Sequence, residues 1–190
     1  KDAQFELIES FEYKKCKNIR SYFSVPETDP ESLKNAAELI NKAKKPFIVW
    51  GQGVILGNAE SEFIKFIEKT GIPAAWTILG LSAVPTEHPL NVGMVGMHGN
   101  YGPNVLTNEC DLLIAVGMRF DDRVTGNLNS YAKQAKIIHF EIDPAEVNKN
   151  VIADVAVLGN VKNTLNDILK FLKKNNHKDW IAKFGEFYEI

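Results

Sequence analysis

Two arginines and two aspartates stand in the short segment GMRFDDRVTG, residues 117 to 126, directly after the apolar run DLLIAV. Arg119 and Arg123 could bind a pyrophosphate, because a planar guanidinium forms paired hydrogen bonds with phosphate oxygens. Asp121 or Asp122 could hold a guanidinium in position between the two charges. The alternative is a solvated charged turn whose ion pairs contribute little to stability. The position at the end of a buried strand favours the binding role.

The glycine-rich turn GQGVILG, residues 51 to 57, is a second candidate for phosphate binding. It follows the apolar run PFIVW and precedes a helical pattern, and such a turn lets a phosphate approach backbone N–H groups. Its glycine spacing is one residue longer than the dinucleotide fingerprint, and Thr77 stands where that fingerprint has a ribose-binding acid. An ordinary NAD-dependent dehydrogenase is therefore disfavoured. A turn that merely needs two glycines is an equally good interpretation.

Two further polar residues end apolar runs. Glu141 closes KIIHFEI, and its carboxylate could accept a hydrogen bond from a ribose or ribityl hydroxyl. Alternatively, its charge could favour a short helix after Pro144. Asn160 is typical of a helix N-cap. In a binding role, the same helix start would approach the ligand together with Gly159.

No complete catalytic constellation is present in the sequence. His98 in GMHGN has no carboxylate within a few residues to orient it, and His139 is expected to be an ordinary strand residue. The sequence contains no Cys/His cluster with metal-binding spacing and no serine nucleophile elbow. We therefore predict no catalytic and no metal-binding residues.

The elements that must position these residues alternate between strand and helix. Strand patterns occur in PFIVW, IPAAWTI, CDLLIAVG, AKIIHFEID and DVAVLG. Helices are expected from Asp29 to near Lys45, from an Asn58 cap to Gly71, and from Asn160 onward. The glycine- and proline-rich residues 79–103 are predicted to be a long loop, and such loops in compact domains are usually functional or disordered. The pattern predicts an α/β fold: a doubly wound, mostly parallel, six-stranded Rossmann-like sheet with helices on both faces, in three layers.

Composition limits the class of protein. The chain has 190 residues and a net charge of −2, with lysines scattered rather than gathered in one stripe, which argues against nucleic-acid binding. Cys16 and Cys110 lie far apart, which suits a reducing, cytoplasmic compartment. No apolar run approaches a membrane span, so no membrane partner is expected.

Because the first residue is Lys1, we expect a piece of a longer polypeptide. We predict a connecting segment at 1–28, a nucleotide-binding domain at 29–174 and a linker at 175–190.

Four longer segments resemble the central domain of acetohydroxyacid synthase, also called acetolactate synthase, in its catalytic large subunit. They are LINKAKKPFIVWGQGV, GLSAVPTEHPLNVGMVGMHGNYGPN, CDLLIAVGMRFDDRVTG and IIHFEIDPAEVNKN, and the resemblance runs from about Ala36 to Leu172. It implies a thiamine-diphosphate-dependent transferase of branched-chain amino-acid biosynthesis. Such enzymes condense two pyruvates to 2-acetolactate, or pyruvate and 2-oxobutyrate to 2-aceto-2-hydroxybutyrate, with release of CO₂. They use thiamine diphosphate and Mg²⁺, and they hold FAD in the central domain without a net redox role in the main reaction.

The resemblance also implies a set of FAD contacts. These are Gly51, Gln52 and Gly53 near the phosphates and ribityl chain, Thr77 and Ile78 beside them, Gly96, Met97 and His98 toward the flavin, Gly117, Arg119, Arg123 and Val124 in the central part, and Glu141, Ile142, Gly159, Asn160 and Val161 toward the adenosine. Two positions depart from the family pattern. Many members have glycine or alanine in place of Gln52, and members often have aspartate in place of Asn160.

The resemblance further implies partners that these 190 residues do not contain. The pyrimidine- and pyrophosphate-binding domains would flank this one in the same chain, so the 190 residues alone are not expected to be catalytic. The full enzyme would form a homodimer or tetramer, and a small regulatory subunit is a further expected partner. Two alternatives stay open. One is the central domain of another thiamine enzyme, of the pyruvate oxidase, glyoxylate carboligase or oxalyl-CoA decarboxylase type; the other is a cofactor-free scaffold domain, which leaves the two arginines unexplained.

Overall fold

A six-stranded parallel sheet organises the computed structural model, which describes residues 4–16 and 25–187. The strands are β1 (Pro46–Trp50), β2 (Ala74–Trp76), β3 (Asn91–Met94), β4 (Leu112–Val116), β5 (Lys136–Glu141) and β6 (Val155–Leu158). Their order is β3-β2-β1-β4-β5-β6, and every neighbouring pair is parallel. This confirms the predicted doubly wound, Rossmann-like fold. The strand order reverses between β1 and β4, which is where ligands bind in such sheets.

Helices cover both faces of the sheet. They are α1 (Pro30–Lys42), α2 (Gln52–Leu56), α3 (Glu60–Thr70), α4 (Tyr101–Leu106), α5 (Asp122–Thr125), α6 (Val161–Ile168) and α7 (Lys178–Gly185), with 3₁₀ turns at Ile78–Gly80 and Leu169–Phe171. Alternate strand residues point to opposite faces. Ile48, Ile114 and Ile138 pack on one side with α1, α3 and α6. Phe47 and Leu113 pack on the other side with α4 and α7.

The first helix begins as its sequence predicts. The Asp29 carboxylate accepts hydrogen bonds from the N–H groups of Glu31 and Ser32, and Pro30 stands at the first helical position. The helix ends at Lys42, earlier than the predicted Lys45. The N–H groups of Lys44 and Lys45 instead donate to the Asp111 carboxylate at 2.7 and 2.9 Å, which turns the chain into β1.

The start of α3 corrects a second prediction. Asn58 does not cap this helix: Ala59 is the N-cap residue, and Asn58 has a φ of 48°. The glycine turn continues into the short helix α2, so Asn58 lies at the junction of two helices, in a left-handed conformation that asparagine tolerates. The end of α3 is as predicted. Gly71 has a φ of 63°, and its N–H donates to the Ile67 carbonyl.

Strand β3 lies inside residues 79–103, which are predicted to be loop. It pairs with β2, and the Ala74 N–H donates to the Leu90 carbonyl at 2.8 Å. Asn91 and Gly93 are poor strand formers, so the pairing comes from the neighbouring strand rather than from local preference. The residues after Pro144 form turns and not a helix.

The C-terminal helix α7 belongs to the packed domain, although the sequence predicts a linker from residue 175. Trp180 and Phe184 are buried, and the Trp180 indole N–H donates to the Pro46 carbonyl at 2.8 Å. Phe184 also packs against Phe47, with ring centroids 5.2 Å apart. We therefore extend the domain through α7. The predicted connecting segment 1–28 is described only in part, because residues 1–3 and 17–24 lie outside the described ranges, as do residues 188–190 of the predicted linker.

None of the helices in the described part of the chain is long and apolar enough to cross a membrane.

Candidate functional site

A cleft of about 410 Å³ lies at the carboxyl edge of the sheet, over the point where the strand order reverses. It is lined by the turns that follow β1, β2, β4 and β5. The lining residues are Gly51, Gln52, Gly53, Leu56, Thr77, Ile78, Leu79, Gly117, Met118, Arg119, Asp121, Arg123, Val124, Glu141 and Ile142.

Two smaller cavities share lining residues with this cleft. One, of about 130 Å³, shares Gly117 and Glu141 and reaches the start of α6. The other, of about 310 Å³, shares Arg123 and Val124 and reaches the turn after β3. The three adjoining cavities lie along the carboxyl ends of the strands, and we call them together the edge groove. Because they lie side by side, they suit an elongated ligand.

The edge groove collects all the predicted binding residues except one. The small cavity at α6 adds Gly159, Asn160 and Val161, and the cavity beyond β3 adds Gly96 and Met97. His98 is exposed and lies outside the lining of all three cavities. The central cleft also has lining residues that the sequence did not predict: Leu56, Leu79 and Met118. Leu56 ends α2 and Leu79 lies in the 3₁₀ turn after β2, so the only signal for them is their position after a strand.

The glycine turn is shaped by contact between two backbones. The Gly53 N–H donates to the Gly117 carbonyl at 2.9 Å, and the Gly51 N–H donates to the Val116 carbonyl at 3.0 Å. A Cβ atom on Gly53 would lie 2.6 Å from Gly117 Cα. Because these two N–H groups already have protein acceptors, they are not available to a phosphate. Packing therefore explains both glycines.

The segment 117–126, which we call the arginine loop, presents its two guanidinium groups to solvent. The Arg119 side chain is 63% exposed, and its Nη2 lies 3.7 Å from Asp121 Oδ2. Arg123 is exposed, and its Nη1 lies 3.9 Å from Met97 Sδ. The arrangement leaves hydrogen-bond donors of both arginines open toward the edge groove.

The two aspartates of the arginine loop play different parts. Asp121 caps α5, since its carboxylate accepts a hydrogen bond from the Arg123 N–H at 3.0 Å, and it also pairs with Arg119. The predicted anchoring role thus fits Asp121. Asp122 forms no ion pair with any residue in the described ranges.

Glu141 places a carboxylate at the wall of the edge groove. Its Oε1 accepts hydrogen bonds from the Ile142 and Asp143 N–H groups at 2.9 and 3.2 Å. Burial raises the pKa of Glu141, but hydrogen bonds from His139 and from these two N–H groups outweigh burial and hold the pKa below its ordinary value. The group is therefore ionised near neutral pH and acts only as an acceptor.

Exposed apolar side chains complete the walls. Leu56, Ile78, Leu79 and Ile142 line the central cleft and are between 42% and 72% exposed. Such residues can cover the apolar faces of an aromatic ring. Cationic donors in the middle, a carboxylate at one side and apolar walls fit a ligand that carries phosphates, hydroxyl groups and flat rings. Among the described residues, no group of three His, Cys, Asp or Glu side chains could hold a metal ion.

Comparison with known proteins agrees with this architecture. Residues 33–168 match the family described as "Thiamine pyrophosphate enzyme, central domain". The chain is 45% identical to the "Probable acetolactate synthase large subunit" of Methanocaldococcus jannaschii, over 85% of this chain and 27% of the relative. It is 36% identical to the acetolactate synthase large subunit of Buchnera aphidicola subsp. Schizaphis graminum, over 95% of this chain and 32% of the relative. It is 44% identical to the acetolactate synthase of Mycobacterium bovis, over 80% of this chain and 25% of the relative.

The chain thus spans about a quarter to a third of the length of the curated relatives it matches. The matched residues include β1 to β6 and all residues that line the edge groove. With most of its length covered by one family, and with the parallel sheet described above, the chain belongs to the family of thiamine pyrophosphate enzyme central domains.

Proposed function

We propose that this chain is the central domain of the catalytic large subunit of an acetolactate synthase, and that its edge groove binds FAD. The observation that carries the FAD proposal is the pair of exposed arginines, Arg119 and Arg123, in the central cleft of the edge groove, over the strand-order reversal. Arginine is suited to this position because its planar fork matches the oxygens of a pyrophosphate. The names of the relatives support the assignment to acetolactate synthase.

In this proposal the groove binds FAD along its length. Arg119 and Arg123 bind the pyrophosphate, and the ionised Glu141 carboxylate accepts a hydrogen bond from a sugar or ribityl hydroxyl. Gly159, Asn160 and Val161 line the adenosine end. Gly96 and Met97 line the flavin end. The apolar walls exclude water from the ring faces.

The full-length protein would condense two pyruvates, or pyruvate and 2-oxobutyrate, with loss of CO₂. Thiamine diphosphate supplies the nucleophilic carbon for this reaction. Thiamine diphosphate and Mg²⁺ would be held by the flanking pyrimidine- and pyrophosphate-binding domains. The residues of this chain bind and orient FAD and contribute no acid, base or nucleophile. We further propose a cytoplasmic homodimer or tetramer with a small regulatory subunit.

Visible absorbance and product formation test this proposal in the purified full-length protein. We expect a flavin spectrum, and acetolactate from pyruvate in the presence of thiamine diphosphate, Mg²⁺ and FAD. A colourless protein that forms no acetolactate with added FAD would refute both parts. A colourless protein that forms acetolactate without FAD would support the proposed reaction but refute FAD binding, and the domain would then be a scaffold.

The arginines are tested by Arg119→Ala combined with Arg123→Ala. Loss of two charge-assisted hydrogen bonds to phosphate, each contributing about 1.5–3 kcal/mol, should weaken FAD binding at least about 100-fold. The matched control is Lys34→Ala combined with Lys65→Ala, which removes two exposed positive charges from α1 and α3, away from the groove. Equal FAD affinity of the two double variants would show that the arginines do not bind FAD and belong to a solvated charged turn.

A further inference from the structure

His139 is a fully buried imidazole close to the edge groove but outside its lining. It lies in β5 opposite Ala115 of β4 and Ala156 of β6, whose small side chains leave room for the ring. Strand alternation puts it on the same face as Glu141, two residues later. The ring also packs against Phe120 of the arginine loop, with centroids 5.0 Å apart. A single buried side chain of the strand that carries Glu141 therefore contacts the arginine loop.

The polar contacts of His139 Nε2 link the same two parts. Its Nε2 lies 2.9 Å from the Met118 carbonyl oxygen and 3.5 Å from Glu141 Oε2. A carbonyl oxygen can only accept, so Nε2 carries a hydrogen and donates it to Met118. Met118 precedes Arg119 directly. The donor thus stands between the start of the arginine loop and the groove carboxylate.

Packing alone does not account for an imidazole at this position. The Nδ1 atom of His139 is buried and has no hydrogen-bond partner among the described residues. An unpaired buried polar atom is unfavourable. A leucine would fill similar space without that cost, so the benefit of the imidazole lies in its Nε2 donor.

We propose that His139 is a positioning residue of the edge groove. Its Nε2 fixes the position of the Met118 carbonyl relative to the Glu141 carboxylate, so that Arg119 and Glu141 can contact the same ligand. The consequence for FAD rests on the proposed function, whereas the positioning of the loop does not. Without the donor, the Met118 carbonyl loses its buried partner and the Glu141 carboxylate keeps only the two backbone N–H groups that follow it.

Two substitutions distinguish the effect of losing the Nε2 donor from the effect of losing the volume of the ring. His139→Leu removes the donor and keeps the space filled, whereas His139→Gln can place an amide N–H near the position of Nε2. His88→Leu is the matched control, since it removes a mostly buried imidazole that lies outside the lining of the groove. Each variant is made in the full-length protein.

The first readout is hydrogen exchange of the FAD-free protein, measured by mass spectrometry on peptides that cover residues 117–126 and 141–147. We expect His139→Leu to increase exchange about tenfold in both peptides, because it removes the buried hydrogen bond to the Met118 carbonyl and the polar contact with Glu141. We expect His139→Gln and His88→Leu to exchange as the parent does. Unchanged exchange in His139→Leu would overturn the proposal, and so would an equal increase in His139→Gln. Failure of both His139 variants to fold would also overturn it, by assigning His139 to the core alone.

The second readout is the dissociation constant of FAD. We expect His139→Leu to weaken FAD binding about tenfold and His139→Gln to restore most of the loss. FAD affinity that is unchanged in His139→Leu would overturn the consequence for the ligand. A parent protein that does not bind FAD would refute the proposed cofactor, while the exchange experiment would still decide the role of His139.

Discussion

Gly53→Ala tests the contact between the turns after β1 and β4, because the added methyl group would meet backbone atoms. A Cβ on Gly53 would lie 2.6 Å from Gly117 Cα and 2.8 Å from the Gly117 carbonyl oxygen. The same carbonyl accepts the Gly53 N–H at 2.9 Å, so the two segments cannot separate without losing that hydrogen bond. The substitution should therefore strain the point where the strand order reverses.

The magnitude follows from two opposing effects. Overpacking costs about 1–3 kcal/mol, and we expect the upper end of this range because backbone moves less readily than a side chain. Replacing glycine by alanine inside a helix contributes about 1 kcal/mol in the other direction. The net loss in the free energy of unfolding should be about 2 kcal/mol.

Urea unfolding, followed by tryptophan fluorescence, to which the buried Trp50 contributes, measures this loss. The matched control is Gly185→Ala at the end of α7, where a Cβ would meet no atom within 4 Å. We expect the control to be as stable as the parent or more stable by up to about 1 kcal/mol. A Gly53→Ala variant as stable as the parent would refute the conclusion that backbone packing dictates glycine at this position.

Two further predictions concern Glu141 and Trp180. The folded-state pKa of Glu141 lies below its ordinary value of 4.5, so its stabilising contribution is present above that pH and is lost as the pH falls through the folded-state pKa. Glu141→Gln should therefore be less stable than the parent at neutral pH, and the difference should shrink on acidification; a constant difference between pH 7 and pH 3 would contradict this assignment. Trp180→Ala should lower the free energy of unfolding by about 3–5 kcal/mol, because it empties a core position and removes the hydrogen bond to the Pro46 carbonyl. Urea unfolding that differs from the parent by less than 1 kcal/mol would show α7 to be a detachable linker.

The strands that could be identified from the sequence are those whose run of apolar residues matches their burial in the folded protein. Both β1 and β4 are fully buried along their length, and each is a continuous apolar run that ends at a glycine. Strand β3 has no such run, and it forms because β2 offers free backbone groups next to it. Local preference carries no information about that neighbour.

Helix ends, like strands, can be predicted when nearby residues determine them and not when distant residues do. Asp29, Gly71 and Asn160 act within a few residues of themselves, so their effects are visible in the sequence. The early end of α1 depends on Asp111, which is more than sixty residues away along the chain. Likewise, α7 is fixed by an acceptor at Pro46 that lies 134 residues earlier.

For the candidate site, the rule about carboxyl ends of parallel strands was enough to place the turns after β1, β2, β4, β5 and β6 on one edge. Gly96 and Met97 were predicted only from the resemblance, as was His98, which lies outside the lining of the groove. It could not distinguish a glycine that contacts a ligand from one that contacts another backbone, as at Gly53. It also could not identify His139, which stands in an apolar run and finds its acceptor on a different strand end, 21 residues earlier. Both facts depend on distances between segments, which appear only in the folded chain.

The position of bound FAD decides whether the edge groove has the role proposed for it. We would determine the crystal structure of the full-length protein with FAD. We expect the pyrophosphate oxygens within about 3 Å of a guanidinium nitrogen of Arg119 or Arg123, and the adenosine beside the start of α6. An FAD molecule bound outside the groove, or one whose pyrophosphate contacts neither arginine, would contradict the proposal.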